Sequence, residues 1–238
     1  MPTRSSLQPE LMDDPGLALE PTERALRDIE KVHRWMGNGA LWHLLLPALA
    51  TGPRRQLVLD VGTGNGAVAA EARRRAARRG IELSSIGLDR KLSHLTLGRS
   101  HGHRQLRVVG DAAALPFADG AVEASFSTLF QHHFLPGALP EAGAQVLAEM
   151  RRVSRRAAIV VDIRRSRLGG LLGRLVLAML RVGPVASHDG RLSLDQSWTL
   201  DDVRSAAPAA ATRSLRRCWP HRWALDLAGG GTTSNDSG

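Results

Sequence analysis

The chain has 238 residues, of which 43% are hydrophobic and 23% charged, a composition typical of a globular protein with one sizeable α/β core. A net charge of +9 suggests a nucleic-acid partner, but aromatic residues make up only 4% and tyrosine is absent, so platforms for stacking bases are scarce. The single cysteine, Cys218, excludes an internal disulfide. We therefore expect a cytoplasmic protein and disfavour a nucleic-acid partner.

The first fifty residues predict an arm followed by two helices. Residues 1–20 contain prolines and acids without an apolar run, so we expect a flexible arm and no secretory signal. Apolar residues three or four apart predict a helix over residues 21–36, and residues 40–50 predict a second, strongly apolar helix. This helical cap, residues 21–50, either covers the open end of the following sheet or packs against the edge of the sheet.

An aliphatic strand over residues 57–61 runs into a glycine-rich loop. Asp60 lies near the end of this strand, and Gly62, Gly64 and Gly66 follow. Glycine has no Cβ, so the backbone can turn sharply and approach a ligand closely. The helix that starts at Ala67 directs its free N–H groups toward that ligand. The pattern predicts a nucleotide-type site, and by itself it also fits the dinucleotide fingerprint of dehydrogenases.

Acids or histidines stand where the next predicted strands end. The strand over residues 81–88 leads to Asp89, whose carboxylate either accepts both ribose hydroxyls of a nucleoside or serves only as a turn residue. The later strands and the side chains that follow them are residues 106–110 with Asp111, residues 122–128 with His132 and His133, and residues 157–161 with Asp162. Strands that alternate with helices predict an α/β fold with a doubly wound, mostly parallel sheet, so these side chains should meet at one edge.

The segment after the fifth strand, residues 163–198, predicts an insertion. Its apolar helix, residues 168–180, is bounded by arginines and is too short and too charged to span a bilayer. The helix either covers the site as a lid or rests on a membrane surface, and its position beside the site favours the lid. The sequence His188-Asp189-Gly190 predicts a turn at the far side of this insertion.

The C-terminal residues complete a single predicted domain, residues 21–228. Thr199 and Asp202 have the spacing of a capping box at the start of a last helix. Two closing strands, residues 211–218 and 223–227, bring the predicted sheet to seven strands. Residues 229–238 are rich in glycine and serine and predict a disordered tail.

Three segments, in order, resemble the class I S-adenosylmethionine-dependent methyltransferases. They are residues 58–66, Gly87-Leu88-Asp89, and Gly110-Asp111-Ala112 with Leu115-Pro116-Phe117. The resemblance covers residues 56–162, and a dehydrogenase is not expected to have the third segment. It implies a Rossmann-like fold and S-adenosylmethionine as the cofactor.

The resemblance also implies a role for individual residues. The glycine loop contacts the methionine half of the cofactor, the acid after strand two holds the ribose, and the acid after strand three reaches the adenine amino group. The implied cofactor-binding residues are Asp60, Gly62, Thr63, Gly64, Gly66, Asp89, Arg90, Asp111, Ala112 and Thr128.

Within that class, four further segments resemble small-molecule methyltransferases that modify quinones and polyketides. They are residues 130–134, 149–153, 162–166 and 188–190. This implies methyl transfer, mainly to oxygen, on a small and largely apolar phenolic, quinone or polyketide-like acceptor in secondary metabolism. An RNA methyltransferase is an alternative, although no Asn-Pro-Pro-aromatic tetrad follows strand four. A non-catalytic, cofactor-binding partner subunit is another, and a homodimer is left open.

Transfer of a methyl group to a hydroxyl requires a proton acceptor. A phenol has an unperturbed pKa of about 10, so a neutral histidine nearby is a suitable base at neutral pH. His132 and His133 follow strand four, where the transferred methyl should point. Because adjacent residues on a strand face opposite sides, we expect one base and favour His133 over His132. The alternative is that a histidine here only binds a backbone carbonyl.

The remaining candidates are walls of the acceptor pocket and isolated histidines. The candidate substrate-binding residues are Trp35, Met36, Phe130, Phe134, Asp162 and Met179; for the apolar members, the alternative is a place in the core. His101 and His103 have the spacing of a metal pair but lack a third ligand, so we predict a surface loop and no metal site. His33 and His43 are expected to pack between helices.

Overall fold

The structure is a computed structural model that describes residues 10–14, 16–36, 38–134 and 140–230, apart from the side chain of Pro140. The predictions for residues 1–9 of the arm and 231–238 of the tail lie outside the described residues. The strands are Arg55–Val61 (β1), Glu82–Asp89 (β2), Leu106–Val109 (β3), Val122–Thr128 (β4), Ser154–Ile163 (β5), Thr212–Cys218 (β6) and Arg222–Ala228 (β7). The α-helices of the described part are Leu19–Met36 (α1), Gly39–Ala50 (α2), Ala67–Ala77 (α3), Leu92–Ser100 (α4), Pro140–Val153 (α5), Arg167–Met179 (α6), Pro184–Gln196 (α7) and Leu200–Ala206 (α8).

The strands form one seven-stranded sheet in the order β3-β2-β1-β4-β5-β7-β6. The first five strands are parallel, whereas β7 runs antiparallel to both β5 and β6. The predicted Rossmann-like, mostly parallel sheet is confirmed. The strand order reverses between β1 and β4, and ligands of such sheets bind at the carboxyl ends of the strands beside this point.

Helices cover both faces of the sheet because its strands are apolar on both sides. In β1, Val58 packs toward α2 and α3, while the neighbouring Leu59 packs toward α5 on the other face. Trp198 and Trp223 are fully buried on the face of the sheet that packs against α5. The rigid sheet therefore fixes the positions of the loops at its carboxyl edge.

α1, α6 and α7 lie at the carboxyl edge of the sheet, where they line the cavity. α1 lines the cavity there, as foreseen for a cap over the open end of the sheet, whereas α2 packs on the face of the sheet over β4 and β5 and not against its edge. α6 and α7 fill the insertion after β5. Among the described residues, no helix combines the length and the apolar character needed to cross a membrane.

The turn predicted at His188-Asp189-Gly190 is wrong, because these residues lie inside α7. Pro184 stands at the start of that helix, where its fixed φ and missing N–H cost nothing. Ala186, Asp189 and Ser193 are buried at helical spacing. Tertiary packing of this face therefore outweighs the turn tendency of the local sequence. The capping box of α8 is present, with Thr199 and Asp202 bonded to each other's backbone N–H groups.

The expected flexible arm is packed against the domain over residues 10–14. Residues Leu11–Asp13 form a short 3-10 helix, and Met12 is buried among α1, α4 and α7. α1 begins at Leu19, two residues earlier than predicted. The described part of the arm therefore belongs to the wall of the site.

Candidate active site

A cavity of about 1110 Å³ opens at the carboxyl edge of the sheet. Pockets for single small molecules usually measure about 300–1,000 Å³, so this space accommodates a nucleoside cofactor and an acceptor together. The predicted cofactor residues that line it are Asp60, Gly62, Thr63, Gly64, Asp89, Arg90, Asp111, Ala112 and Thr128. The predicted acceptor walls that line it are Trp35, Met36, Phe130, Phe134 and Met179.

The glycine loop has the left-handed backbone that only glycine adopts without strain. φ is 69° at Gly62 and 83° at Gly66. A Cβ on Gly62 would lie 2.5 Å from the ring of Phe130, so glycine allows this aromatic side chain to lie directly over the loop. Gly66 does not line the cavity; it caps α3, and a Cβ there would meet Gln105 at 2.4 Å. Its role is therefore close packing.

Two acids anchor the loop. Asp60 is buried and accepts a hydrogen bond from the hydroxyl of Thr63 at 2.7 Å. Burial raises the pKa of Asp60 to about 7, against the hydrogen bond from Thr63 and with the help of the nearby Asp89 charge. Asp89 accepts from the N–H groups of Gly64 and Lys91, both at 2.9 Å. Burial opposes its ionisation, but His94 and these amides prevail and lower its pKa.

These residues fit S-adenosylmethionine. Asp89 presents an ionised carboxylate to the cavity, and each of its oxygens can accept further hydrogen bonds from ribose hydroxyls. Asp111 is exposed at the end of β3, where its Oδ1 accepts from Ala113 N–H at 2.9 Å. The backbone of Gly62 and Gly64 faces the cavity without side chains. The acids also suit a cationic sulfonium.

His132 and His133 both line the cavity, so the expectation that only one of them can face the site is wrong. They leave β4 in a 3-10 turn, Gln131–His133, instead of an extended strand. Leu129, with φ of 52°, reverses the chain just before this turn. The two imidazole rings are stacked, with centroids 4.6 Å apart and an interplanar angle of 26°.

His132 is bound to a buried carboxylate. Its Nδ1 lies 2.9 Å and 3.1 Å from the two carboxylate oxygens of Asp162, which also accepts the His132 N–H at 3.0 Å. Burial opposes protonation of His132, but the charges and hydrogen bonds of Asp162 and Glu10 prevail and raise its pKa to about 10. His132 is therefore an imidazolium at neutral pH, and its side-chain partner is not a backbone carbonyl.

Asp162 does not line the cavity, which corrects its assignment as a substrate-binding residue. The carboxylate is almost fully buried behind His132. The charged histidine and two backbone N–H groups lower its pKa despite the burial. Asp162 thus acts on the cavity only through His132.

The arm brings two further acids to the histidines. Glu10 Oε1 lies 3.6 Å from Nε2 of His132, and Glu10 Oε2 lies 3.8 Å from Nε2 of His133. Asp13 Oδ2 lies 3.6 Å from Nδ1 of His133. Sequence reasoning missed both acids, because nothing in the local pattern of the arm predicts a contact with residues more than a hundred positions away. The hydroxyl of Ser193 donates to Glu10 at 2.6 Å.

Asp189 on α7 holds the arm in place. Its two carboxylate oxygens accept the N–H groups of Leu11 at 2.7 Å and Met12 at 2.9 Å, at the start of the short 3-10 helix. The ammonium group of Lys91, which follows β2, donates to the carbonyl of Met12. The arm therefore bridges the cofactor loop and the insertion.

One ligand atom from each of Glu10, His132 and His133 lies within 4.8 Å of the others, so this cluster has the donor set of a metal site as well as that of an ion network. The histidines that the sequence left without a role lie elsewhere. His101 contacts Glu23 and His103 contacts a backbone carbonyl. His43 is exposed on α2.

His33 lies at the edge of the cavity and contacts Asn38 at 3.3 Å. Burial and the Arg222 charge lower the pKa of His33 to about 4, so this side chain is neutral at physiological pH.

The order of these loops matches a known family. Residues 59–161 match the family described as a methyltransferase domain. Over these residues the chain is similar to class I S-adenosylmethionine-dependent methyltransferase domains. The match runs from within β1 to within β5, strands that contribute most of the predicted cofactor residues, and S-adenosylmethionine is the cofactor that this similarity supports.

Solved structures share this fold at low sequence identity. A SAM-dependent methyltransferase from Aquifex aeolicus is 15% identical with a TM-score of 0.52, covering 83% of this chain and 96% of that one. Magnesium protoporphyrin IX methyltransferase from Synechocystis PCC 6803 with bound SAH is 14% identical, TM-score 0.54, covering 85% and 86%. Human N-acetylserotonin methyltransferase with SAM is 16% identical, TM-score 0.57, covering 89% and 57%. No curated protein sequence matches the chain significantly.

Proposed function

We propose that the methyltransferase methylates a hydroxyl group of a small, largely apolar phenolic, quinone-derived or polyketide-like acceptor. The observation that carries this proposal is the stacked pair His132–His133 between the polar cofactor loops and an apolar chamber. The chamber wall includes Met36, Phe134 and Met179. Two structures of the same fold are named for small acceptors, magnesium protoporphyrin IX and N-acetylserotonin. We propose a cytoplasmic role in secondary metabolism, where such acceptors are common.

The cofactor-side residues have distinct tasks in this proposal. When bound, S-adenosylmethionine supplies an electrophilic methyl group. Asp89 would hold the ribose hydroxyls and Asp111 the adenine amino group, while the glycine backbone admits the methionine half. Phe130, packed on Gly62, separates this region from the acceptor chamber.

The two histidines divide the handling of the acceptor's proton. His132, held as an imidazolium by Asp162, donates a hydrogen bond from Nε2 and stabilises negative charge on the acceptor oxygen. His133 is partly exposed and accepts the proton that leaves the hydroxyl, then passes it to solvent. The acceptor oxygen would take the place that Glu10 Oε1 occupies 3.6 Å from His132. The arm must therefore move when the acceptor binds.

The helices of the insertion exclude water from the reaction. α6 and α7 contribute Leu172, Val176 and Leu194 to the cavity wall. Exclusion of water strengthens the interaction between His132 and a developing oxyanion. We propose that α6 acts as a mobile lid over the acceptor.

Labelled methyl transfer to phenols, hydroxyquinones and alkylresorcinols tests the proposal directly. His133→Ala should lower turnover by roughly 10²–10⁴-fold and leave the affinity for S-adenosylhomocysteine nearly unchanged. His43→Ala, which removes an exposed histidine far from the cavity, is the matched control and should be neutral. Transfer only to RNA, or full activity of both the His132→Ala and His133→Ala variants on a phenol, would show that the proposal is wrong.

A further inference from the structure

The mouth of the cavity has an apolar rim. Trp35, Leu175, Met179 and Trp219 all line the cavity, yet each is more than half exposed. A side chain that lines the cavity and is also exposed lies at the boundary between the cavity and solvent. These four residues come from α1, α6 and the β6–β7 turn, so three separate elements converge on the opening.

α6 extends this rim outward. Leu168, Leu171, Leu175 and Met179 follow one another at spacings of three, four and four residues, which puts all four on one helical face. Together with Trp35 and Trp219 they make up six of the eleven large hydrophobic side chains that are exposed in the described residues. Their clustering at one opening marks an interaction surface, because scattered exposure would need no explanation.

Exposed arginines accompany each part of the rim. Arg34 precedes Trp35, Arg167 precedes Leu168, Arg181 follows Met179 by two positions, and Arg217 precedes Trp219 by two. Within the described part of the chain, none of these four has an acidic partner within 4 Å, whereas Arg174 on α6 is paired with Asp195. The rim is thus an apolar surface with free positive charges beside it. Phosphate groups of lipids complement this charge, and acyl chains complement the apolar centre.

We propose that this rim docks the methyltransferase on an anionic lipid bilayer, so that the cavity opens directly into the lipid. The inference that the protein docks on a bilayer depends only on this rim and its arginines. A second inference depends on the proposed function: the acceptor is a lipid-dissolved phenol or quinol that enters the cavity past α6. With no spanning helix in the described residues, the attachment is peripheral and reversible.

The charges favour a bilayer over a second copy of this chain. In a two-fold symmetric dimer the same patch meets itself, which would bring Arg167 and Arg181 of both copies together in a desolvated interface. A protein partner seated on the rim would also close the cavity mouth. A bilayer neutralises the arginines and leaves the opening in contact with an apolar phase.

Flotation of the full-length protein with vesicles provides the test. The vesicles are phosphatidylcholine alone or phosphatidylcholine with roughly 30% phosphatidylglycerol. Leu168→Glu/Leu171→Glu should weaken binding to the anionic vesicles by at least about tenfold, since two exposed leucines that would enter the bilayer are replaced by charges. Arg167→Glu/Arg181→Glu should also weaken it and reduce its salt dependence. Leu106→Glu is the matched control, because Leu106 is as exposed as Leu171 (65% against 67%) but lies at the opposite edge of the sheet.

The outcomes separate this inference from the proposed function. Wild-type binding that needs phosphatidylglycerol and is lost in the leucine variant, but kept in Leu106→Glu, supports it. The inference would be overturned if the wild-type protein did not bind vesicles, or if the Leu168→Glu/Leu171→Glu and Leu106→Glu variants bound them equally. Self-association that only the leucine variant abolishes would also overturn it. In parallel, transfer to a water-dissolved phenol should be unchanged in the leucine variant, because Leu168 and Leu171 do not line the cavity. If the wild-type protein does not transfer a methyl group to any water-dissolved phenol, that result would contradict the proposed function but not the docking.

Discussion

The buried pair of Asp162 and His132 predicts a pH-dependent stability that can be measured without knowing the acceptor. In Asp162→Asn the imidazolium of His132 loses its buried counter-charge. The pKa of His132 is raised from 6.5 to about 10, and each unit corresponds to about 1.36 kcal/mol. Removal of one partner from a buried ion pair costs about 3–5 kcal/mol, which agrees with this shift in order of magnitude. We expect a loss of that size near neutral pH.

The pH dependence has a definite sign. Because the pKa of His132 is raised in the folded state, the pair stabilises fully below pH about 6.5, and the stabilisation is lost as the pH rises through about 10. The pKa of Asp162 is lowered, so its charge persists to below the ordinary aspartate range. The penalty of Asp162→Asn in the free energy of unfolding should therefore be largest at about pH 4–6.5 and vanish or reverse above about pH 10.

Urea unfolding at about pH 6 and about pH 10.5 measures this difference. Asp201→Asn is the control, since the Asp201–Arg204 pair is exposed and should contribute at most about 0.5 kcal/mol at either pH. The double variant with His132→Gln should recover part of the loss at the lower pH. An equal penalty at both pH values would refute the reasoning, because it would show that Asp162 stabilises by packing and backbone hydrogen bonds instead of charge.

Three further predictions concern ligand binding and motion. Asp89→Ala should weaken S-adenosylhomocysteine binding in calorimetry by about 1–3 kcal/mol through the loss of charge-assisted hydrogen bonds, while the exposed Asp119→Ala should not; unchanged affinity would remove Asp89 from the site. Chelation by EDTA should leave methyl transfer unchanged, because the proposed mechanism needs only His132 and His133 to handle the acceptor's proton; activity restored only by added metal would contradict this. Hydrogen exchange should show weak protection of α6 that increases with a bound acceptor analogue, and strong protection without ligand would exclude a mobile lid.

The cofactor side of the site could be predicted from the sequence because its signals are local. A strand, its terminal acid and the following glycines are adjacent in the chain, and parallel strands bring their carboxyl ends together by geometry alone. Asp60, Asp89 and Asp111, all of which line the cavity, were predicted as cofactor-binding residues in this way. The mostly parallel, doubly wound character of the sheet and the positions of most strands followed from the same pattern, whereas the order of the strands was not predicted.

The acceptor side could not be predicted to the same depth because its contacts join distant segments. Glu10 reaches His132 from a segment whose polar composition indicated disorder, and Asp189 anchors that segment from a helix whose local sequence indicated a turn. The 3-10 turn that brings both histidines to the cavity follows Leu129, whose left-handed backbone (φ 52°) the local sequence does not indicate. Local patterns report none of these contacts.

The hold of Asp189 on the arm has a consequence for the newly made chain. Asp189 binds Leu11 and Met12 across 178 and 177 positions of the chain. The arm is synthesised first, but it cannot make these contacts until α7 has left the ribosome. A chain that stops before α7 contains every cofactor loop but lacks Asp189 and Ser193, which bind the arm at Leu11, Met12 and Glu10. The wall that the arm contributes to the cavity is therefore completed only after α7 has been made. An affinity tag fused ahead of residue 10 would be tethered directly at the acceptor chamber, so a C-terminal tag is the safer choice for activity measurements.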